Sequence, residues 1–120
     1  MLPAVPAAAA KPSPLLLQAQ KIIAAEMVDP GRLQYRRLRV VRSAVQGKSL
    51  SVACGEYNAR NKMGGYTGFA TFAYEPSLNG VVSYKAGGGI DLFGDVSADR
   101  SDEATELKAR VLATCMGIAQ

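Results

Sequence analysis

A stretch rich in asparagine and glycine, residues 54–69 (CGEYNARNKMGGYTGF), separates two segments in which apolar and polar residues alternate. Val52 and Cys54 share one face of a predicted strand that runs into this stretch, and the run Tyr66–Tyr74, which begins within it, forms the next predicted strand. Asparagine and glycine accept a positive φ at little cost, so residues Asn61–Gly65 predict a reversal of the chain. The centre of the chain is therefore a predicted β-hairpin.

An amphipathic helix is predicted on either side of the strands. Ser13-Pro14 supplies an N-cap and a proline at the first helical position, and Asp29-Pro30-Gly31 ends this helix. Its apolar stripe consists of Leu16, Ala19, Ile23 and Met27. Ser101 is the predicted cap of the second helix, whose first turns carry acidic residues that the helix dipole favours. The apolar face of the second helix consists of Ala104, Leu107, Val111, Cys115 and Ile118.

Four strands are predicted between the helices. The first begins at Leu33, and residues 46–48 turn the chain into the second. Residues 75–80 connect the third strand to a fourth, Val81–Lys85, and we expect residues 90–99 to be a loop or a short irregular strand. The predicted fold is α+β: a four-stranded antiparallel meander flanked by an N-terminal and a C-terminal helix.

Phe69 and Phe72 are three residues apart on the third predicted strand, so their side chains should point to opposite faces of the sheet, although both are large and apolar. Two arrangements accommodate both of them. Either a bulge near Ala70 brings them to one face, or both faces of the sheet are covered.

A length of 120 residues indicates one domain. Residues 1–13 are rich in alanine and proline and have an Ala-x-Ala-like end, which is typical of the tail of a secretory signal peptide. We interpret residues 1–13 as a signal-peptide remnant or a flexible arm, and residues 14–120 as the single α+β domain. The expected location is periplasmic or secreted, and no apolar run is long enough to span a membrane.

The chain contains no histidine and no tryptophan. Without histidine it lacks the commonest general base, the base of a serine or cysteine dyad, and the imidazole ligands of most catalytic zinc sites. Two cysteines that are distant in sequence do not form a zinc site on their own. We therefore expect no metal, no cofactor and no catalytic cysteine.

Cys54 and Cys115 are both predicted to face the core. Cys54 shares a strand face with Val52, and Cys115 shares a helix face with Val111. The two sulfurs can therefore meet, and a disulfide is typical of an exported protein. The alternative is a pair of buried free thiols, which serve as small apolar side chains in many cores.

Basic and acidic residues are unevenly distributed along the chain. Residues 32–62 contain eight basic residues and one acid, whereas residues 91–106 contain six acids and one base. Such a basic segment binds an acidic partner or nucleic acid, or it is a solvated sheet face that the acidic segment covers. The predicted basic face consists of Arg36, Arg37, Arg39 and Arg42.

Polar and aromatic residues in and beside the hairpin form the candidate binding site. Glu56 is two residues after Cys54 on the predicted strand, so its side chain should also point to the interior. A carboxylate there needs a partner such as Arg60, Arg39 or backbone amides. Glu56 is either a general base or ligand-binding acid, or a structural acid that holds the neighbouring loop. The two asparagines are expected to bond their own backbone in Asx turns. The candidate site consists of Glu56, Asn58, Arg60, Asn61 and Tyr66.

Three motifs occur in order: DPGRLQYRRLRVV at residues 29–41, CGE-x-NA-x-N at residues 54–61 and GGY-x-GF at residues 64–69. Together with Cys115 they resemble an uncharacterised family of small exported proteobacterial proteins that carry a cysteine near the C-terminus. That family has DP-x-S-x-x-F at the first motif, whereas this chain has Arg32 and Tyr35 in place of the serine and phenylalanine. The resemblance implies export and a disulfide, and it implies no particular chemistry.

These observations favour an exported, non-enzymatic binding or interaction module of the cell envelope. Its contact surface is predicted to be the loop Asn58–Phe69 with the basic strand beside it, and its partner another protein or an envelope component. One alternative is a small enzyme that uses Glu56 with Arg60 and Asn58. The other, less favoured alternative is nucleic-acid binding through the basic strand 32–42.

Overall fold

The computed structural model describes residues 13–45, 47–94 and 102–117. Residues 1–12, with most of the signal-like segment, and the predicted cap Ser101 lie outside these ranges. Short 3-10 helices at Pro30–Arg32 and Pro76–Leu78 precede the first and fourth strands. The elements follow one another as α1 (Pro14–Ala25), β1 (Gln34–Val45), β2 (Lys48–Arg60), β3 (Tyr66–Tyr74), β4 (Gly80–Lys85), β5 (Gly89–Gly94) and α2 (Asp102–Met116).

The strands form one antiparallel sheet whose spatial order, β1-β2-β3-β4-β5, is the order in the chain. The α+β class, the meander and the two flanking helices are confirmed, but the prediction of four strands is wrong. Residues Gly89–Gly94 form β5, which pairs with β4 from Lys85↔Gly89 to Gly80↔Gly94. Residues 86–88 form the tight turn between β4 and β5, and Gly89 is already the first residue of β5.

The two helices lie on opposite faces of the sheet. α2 packs Val111 and Cys115 into a cluster with Val52 and Cys54 of β2, and we name this side of the sheet the α2 face. α1 packs into the second cluster, whose largest fully buried side chain is Phe72, and this side is the α1 face. Successive residues of a strand point to opposite faces, so β2 contributes to both clusters.

Side chains cover both faces of the sheet, so Phe69 and Phe72 can point to opposite faces. Phe69 pairs with Asn58 and Phe72 pairs with Gly55, so the two rings belong to different faces. The irregularity of β3 lies at Gly68, with φ +100°, where the pairing passes from Asn58↔Phe69 to Arg60↔Tyr66. A bulge near Ala70 is therefore not needed.

A disulfide between Cys54 and Cys115 joins the middle of β2 to the last turn of α2. The Cα atoms are 5.2 Å apart, and both residues are buried. The prediction of this disulfide is confirmed, since the strand face and the helix face that carry the cysteines meet in one cluster.

Gly55 of β2 lies beneath side chains of β1 and β3 on the α1 face. A Cβ atom at this position would lie 2.7 Å from Leu38 Cδ2 and 2.7 Å from Phe72 Cε2. Leu38 of β1 and Phe72 of β3 thus meet above the Gly55 backbone, and the space for them exists because the residue has no side chain.

Candidate functional site

The β2–β3 hairpin carries the candidate residues, beyond the point where α2 ends. Met116, the last residue of α2, lines a cleft together with Glu56. Beyond Glu56, the α2 face of the hairpin presents Asn58 paired with Phe69 and Arg60 paired with Tyr66. Because paired residues share a face, these side chains form one continuous polar and aromatic surface.

A bulge in β1 determines how the arginines meet this surface. The pairing passes from Arg36↔Glu56 to Arg39↔Cys54, so Arg37 and Leu38 both stand opposite Gly55. Arg37 has a φ of +58°, in the left-handed region that costs a residue with a side chain about 1–2 kcal/mol. The bulge allows two consecutive arginines to approach the same carboxylate.

The Glu56 carboxylate lies between two guanidinium groups. Arg36 Nε donates to Glu56 Oε1, and Arg37 Nε lies 3.9 Å from the same oxygen. The Glu56 side chain is 19% exposed, whereas the side chains of Arg36 and Arg37 are 52% and 73% exposed. A guanidinium has five N–H donors, so both arginines keep donors directed to solvent.

Arg39 lies on the same face but is engaged with the backbone. Its Nη1 donates to the carbonyl oxygen of Arg37 at 2.8 Å, and its Nη2 donates to that of Cys115 at 2.7 Å. A cation at the end of a helix also interacts favourably with the helix dipole. Arg39 therefore supports both the bulge and the end of α2.

A cleft of about 150 Å³ lies beside Arg37 and Arg39, and its walls include Glu56 and Thr71.

The two asparagines determine the shape of the hairpin. Asn61 Oδ1 accepts bonds from the amides of Met63 at 2.9 Å and Gly65 at 3.1 Å, which is the local backbone bonding that we predicted. Asn58 bonds across the strands instead. Its Oδ1 accepts from the Gly68 amide at 2.9 Å, and its Nδ2 donates to Gln34 at 3.0 Å. The Asn58 side-chain amide is thus bonded through both its oxygen and its nitrogen.

Arg60 and Tyr66 close the far end of the surface. Arg60 Nε donates to the carbonyl oxygen of Gly64 at 2.8 Å, and its Nη1 lies 3.9 Å from the Asp29 carboxylate. The Arg60 guanidinium carbon lies 5.9 Å from the centre of the Tyr66 ring, and the Tyr66 hydroxyl donates to Arg32 O at 2.9 Å. Tyr66 is 45% exposed, so one side of its ring faces solvent.

The candidate residues fall into separate groups. Arg42 lies on the opposite face from Arg39, where its guanidinium donates to the hydroxyls of Ser49 and Ser51. Glu56 and Arg60 are four residues apart on one strand, a separation of roughly 13 Å. The structure thus brings Glu56 together with Arg36 and Arg37, and it does not bring Glu56 together with Arg60.

Phe69 belongs to the surface; it ends the predicted contact loop Asn58–Phe69 but was not among the five candidate site residues. The Arg36 guanidinium carbon lies 3.7 Å from the centre of the Phe69 ring, so the cation covers one side of it. The sequence did indicate that Phe69 faces away from Phe72, because the two residues are three positions apart on one strand. It did not indicate that Arg36 lies over the Phe69 ring, because that contact depends on the bulge in β1 at Arg37.

Three tyrosines have pKa values raised above the ordinary value. Burial is the main cause for Tyr57, whose hydrogen bond with Ser83 lowers its pKa and whose neighbour Asp91 raises it. Burial also raises the pKa of Tyr35, and Tyr57 adds to that rise. The pKa of Tyr74 is raised by burial and by the Glu75 carboxylate. All three therefore stay neutral to a higher pH than tyrosines in an unfolded chain.

Within the described ranges, no three His, Cys, Asp or Glu side chains lie close enough together to hold a metal ion. In the same part of the chain, no helix has the length and apolar character needed to cross a bilayer.

Fold and site together define an α+β domain in which a disulfide fixes the C-terminal helix beside a polar and aromatic hairpin surface. Comparisons with protein-family models, curated proteins and solved structures found no significant match to this chain.

Proposed function

We propose that the protein is an exported, non-enzymatic binding module that recognises an acidic segment of a partner protein at the cell envelope. The observation that carries this proposal is the pair of exposed guanidinium groups, Arg36 and Arg37, around the single carboxylate of Glu56. The binding surface includes Phe69, which lies under Arg36, and Tyr66 at the far end of the hairpin.

Two exposed arginines beside one acid leave a net positive charge and several unused N–H donors. Carboxylates bind guanidinium groups in a planar, two-bond geometry, so acidic side chains of a partner suit these donors. Glu56 holds the two arginines in place before a partner arrives, which lowers the entropy lost on binding. Tyr66, with one exposed ring face, adds the kind of amphipathic contact that is enriched in interfaces.

The same geometry favours a protein over nucleic acid as the partner. Single-stranded nucleic acid binds by stacking its bases on exposed aromatic rings, and Arg36 already covers one side of the Phe69 ring. The enzyme alternative gains no support from the positions of its three residues, because Arg60 and Asn58 each bond to the hairpin backbone.

The test is a titration of the isotopically labelled protein with poly-L-glutamate, followed by amide chemical shifts at low and moderate salt. We expect shifts at Arg36, Arg37, Glu56 and Phe69. The variant Arg36→Gln with Arg37→Gln should bind about tenfold more weakly or worse. The matched control is Arg42→Gln with Lys48→Gln, which removes the same charge outside the surface and should change affinity by less than about twofold.

Three further outcomes test the proposal against the alternatives. Glu56→Gln should strengthen binding of poly-L-glutamate, since the glutamine oxygen can still accept from Arg36 while the negative charge that repels the ligand is removed. Equal weakening in the control variant would mean that only net charge matters, and the proposal would then be wrong. Tighter binding of a single-stranded oligothymidylate than of poly-L-glutamate, with a steep salt dependence, would support nucleic-acid binding instead.

The disulfide supports the exported location, because such bonds persist in oxidising compartments and are rare in the cytosol. The test is to quench growing cells with acid and alkylate free thiols in denaturant. We expect Cys54 and Cys115 to be unmodified unless a reductant is added first. Modification of both thiols without reductant would contradict the proposed location.

A further inference from the structure

A second concave surface lies on the α1 face of the same hairpin. It is a cleft of about 340 Å³, and small-molecule pockets occupy roughly 300–1,000 Å³. The floor consists of Ala59, Gly68 and Ala70. The side chains of these residues have one methyl group or none, so they leave the space above the sheet open.

The walls of the cleft are apolar and aromatic. They include Met27, which follows α1, and the rings of Tyr57 and Phe93, which meet edge to face with centres 6.0 Å apart. The Tyr57 hydroxyl is bonded to Ser83 Oγ at 3.2 Å, which fixes the ring. An apolar group of a ligand therefore meets a preformed surface.

Two side chains of opposite charge stand at the rim. Lys85 of β4 and Asp91 of β5 both line the cleft and lie on neighbouring strands, since Asp91 pairs with Ser83. Lys85 Nζ donates to the carbonyl oxygen of Thr67, which leaves two of its three donors. Among the described residues, no ion pair joins Lys85 to Asp91.

We propose that this cleft binds a free α-amino acid with a large apolar side chain. The Lys85 ammonium takes the carboxylate of the ligand, the Asp91 carboxylate takes its ammonium, and the apolar side chain lies between Met27, Tyr57 and Phe93. A cavity of about 150 Å³ holds a benzene ring, so a phenyl group and an amino-acid backbone fit this cleft. The site lies on the opposite side of the sheet from the acidic-partner surface and is a separate binding function.

The test uses L-phenylalanine as the probe in a titration of the labelled full-length protein. We expect saturable amide shifts at Ala59, Gly68 and Ala70, at millimolar concentrations or below. The analogues 3-phenylpropionate, without the amine, and 2-phenylethylamine, without the carboxylate, should each bind about tenfold more weakly. Equal affinity for all three compounds would overturn the zwitterion assignment, and shifts that do not saturate by about 20 mM would overturn the site.

Variants test the roles of the individual residues. Lys85→Met should weaken L-phenylalanine more than it weakens 2-phenylethylamine, and Asp91→Asn should weaken L-phenylalanine more than it weakens 3-phenylpropionate. Ala59→Leu should abolish binding by filling the floor. Lys48→Met, at the other end of β2, is the charge-matched control and should bind normally. Normal binding by both Lys85→Met and Asp91→Asn would overturn the proposal even if Ala59→Leu does not fold.

Discussion

Arg39 Nη2 donates a 2.7 Å hydrogen bond to the carbonyl oxygen of Cys115, the residue whose Sγ is bonded to Cys54. One residue at the end of α2 is thus held to β1 through its backbone and to β2 through its side chain. The end of the helix, and with it one wall of the cleft beside Glu56, is fixed by two independent bonds.

Removal of the disulfide by Cys54→Ala with Cys115→Ala should lower the free energy of unfolding by about 4 kcal/mol. The two cysteines are 61 residues apart, and a loop of that size loses this much entropy when it is closed in the unfolded chain. Urea denaturation followed by circular dichroism measures the change. The single variant Arg39→Ala is the comparison and should cost less, about 1.5–3 kcal/mol. An unchanged midpoint in the double variant would contradict the expectation.

Gly55→Ala should destabilise the protein by about 1–3 kcal/mol, because the added methyl group overlaps Leu38 and Phe72 at 2.7 Å. Thermal unfolding gives the change. Gly31→Ala is the matched control, since a Cβ at that position meets nothing within 4 Å. Similar melting temperatures for the two variants would mean that the close approach above Gly55 is incorrect.

Arg37→Gly should be more stable than Arg37→Ala by about 1 kcal/mol. Both variants lack the arginine side chain, so their difference isolates the backbone at φ +58°, which glycine adopts without the steric cost that alanine has. Parallel urea titrations measure the difference. The opposite order of stability would show that the bulge does not require the left-handed conformation.

Asn61→Ala should speed hydrogen exchange at the amides of Met63 and Gly65, both of which donate to Asn61 Oδ1. The loss of these two bonds should cost about 2 kcal/mol of stability. Asn61→Asp keeps the acceptor oxygen and is the control. If the alanine and aspartate variants exchange at the same rate, the side-chain oxygen does not hold the turn.

Stability should fall as the pH rises above the ordinary tyrosine value, and Tyr57 should contribute to the fall. Its pKa is raised in the folded protein, so between the unfolded and folded values the unfolded chain binds fewer protons and gains relative stability. The contribution is complete below the unfolded pKa and is lost as the pH passes the folded one. The unfolding free energies of the parent and of Tyr57→Phe, measured across this pH range, should converge at high pH. If the two free energies change in parallel with pH, the raised pKa of Tyr57 does not contribute to the fall in stability.

The elements of the fold could be predicted from the sequence where the spacing of apolar residues along a single helix or strand was sufficient. Apolar spacing predicted both helices and four strands, and the faces of Cys54 and Cys115 predicted their disulfide. β5 was not counted in the predicted sheet, and residues 90–99 were predicted to be either a loop or a short irregular strand, because a glycine-rich turn has the same composition whether a loop or a strand follows it. Strand alternation at Ile90, Asp91 and Leu92 was the available signal.

The site was harder to predict, because its contacts depend on the register between strands. The partners of Glu56 follow from the β1 bulge, which shifts the pairing by one residue at Arg37, and arginine has no preference for the left-handed conformation that the bulge uses. Asn58 was expected to bond locally, and it bonds Gly68 and Gln34 on two neighbouring strands. Local sequence does not encode such partners.

Tyr57 and Asn58 are consecutive residues of β2, yet one lines the cleft on the α1 face and the other lies on the polar surface of the α2 face. The two proposed binding surfaces are therefore separated by a single layer of backbone, without a core between them. A displacement of β2 by a ligand on one side necessarily moves residues of the other side. Thermodynamic linkage then requires the coupling to be mutual, so that each ligand changes the affinity of the other by the same factor.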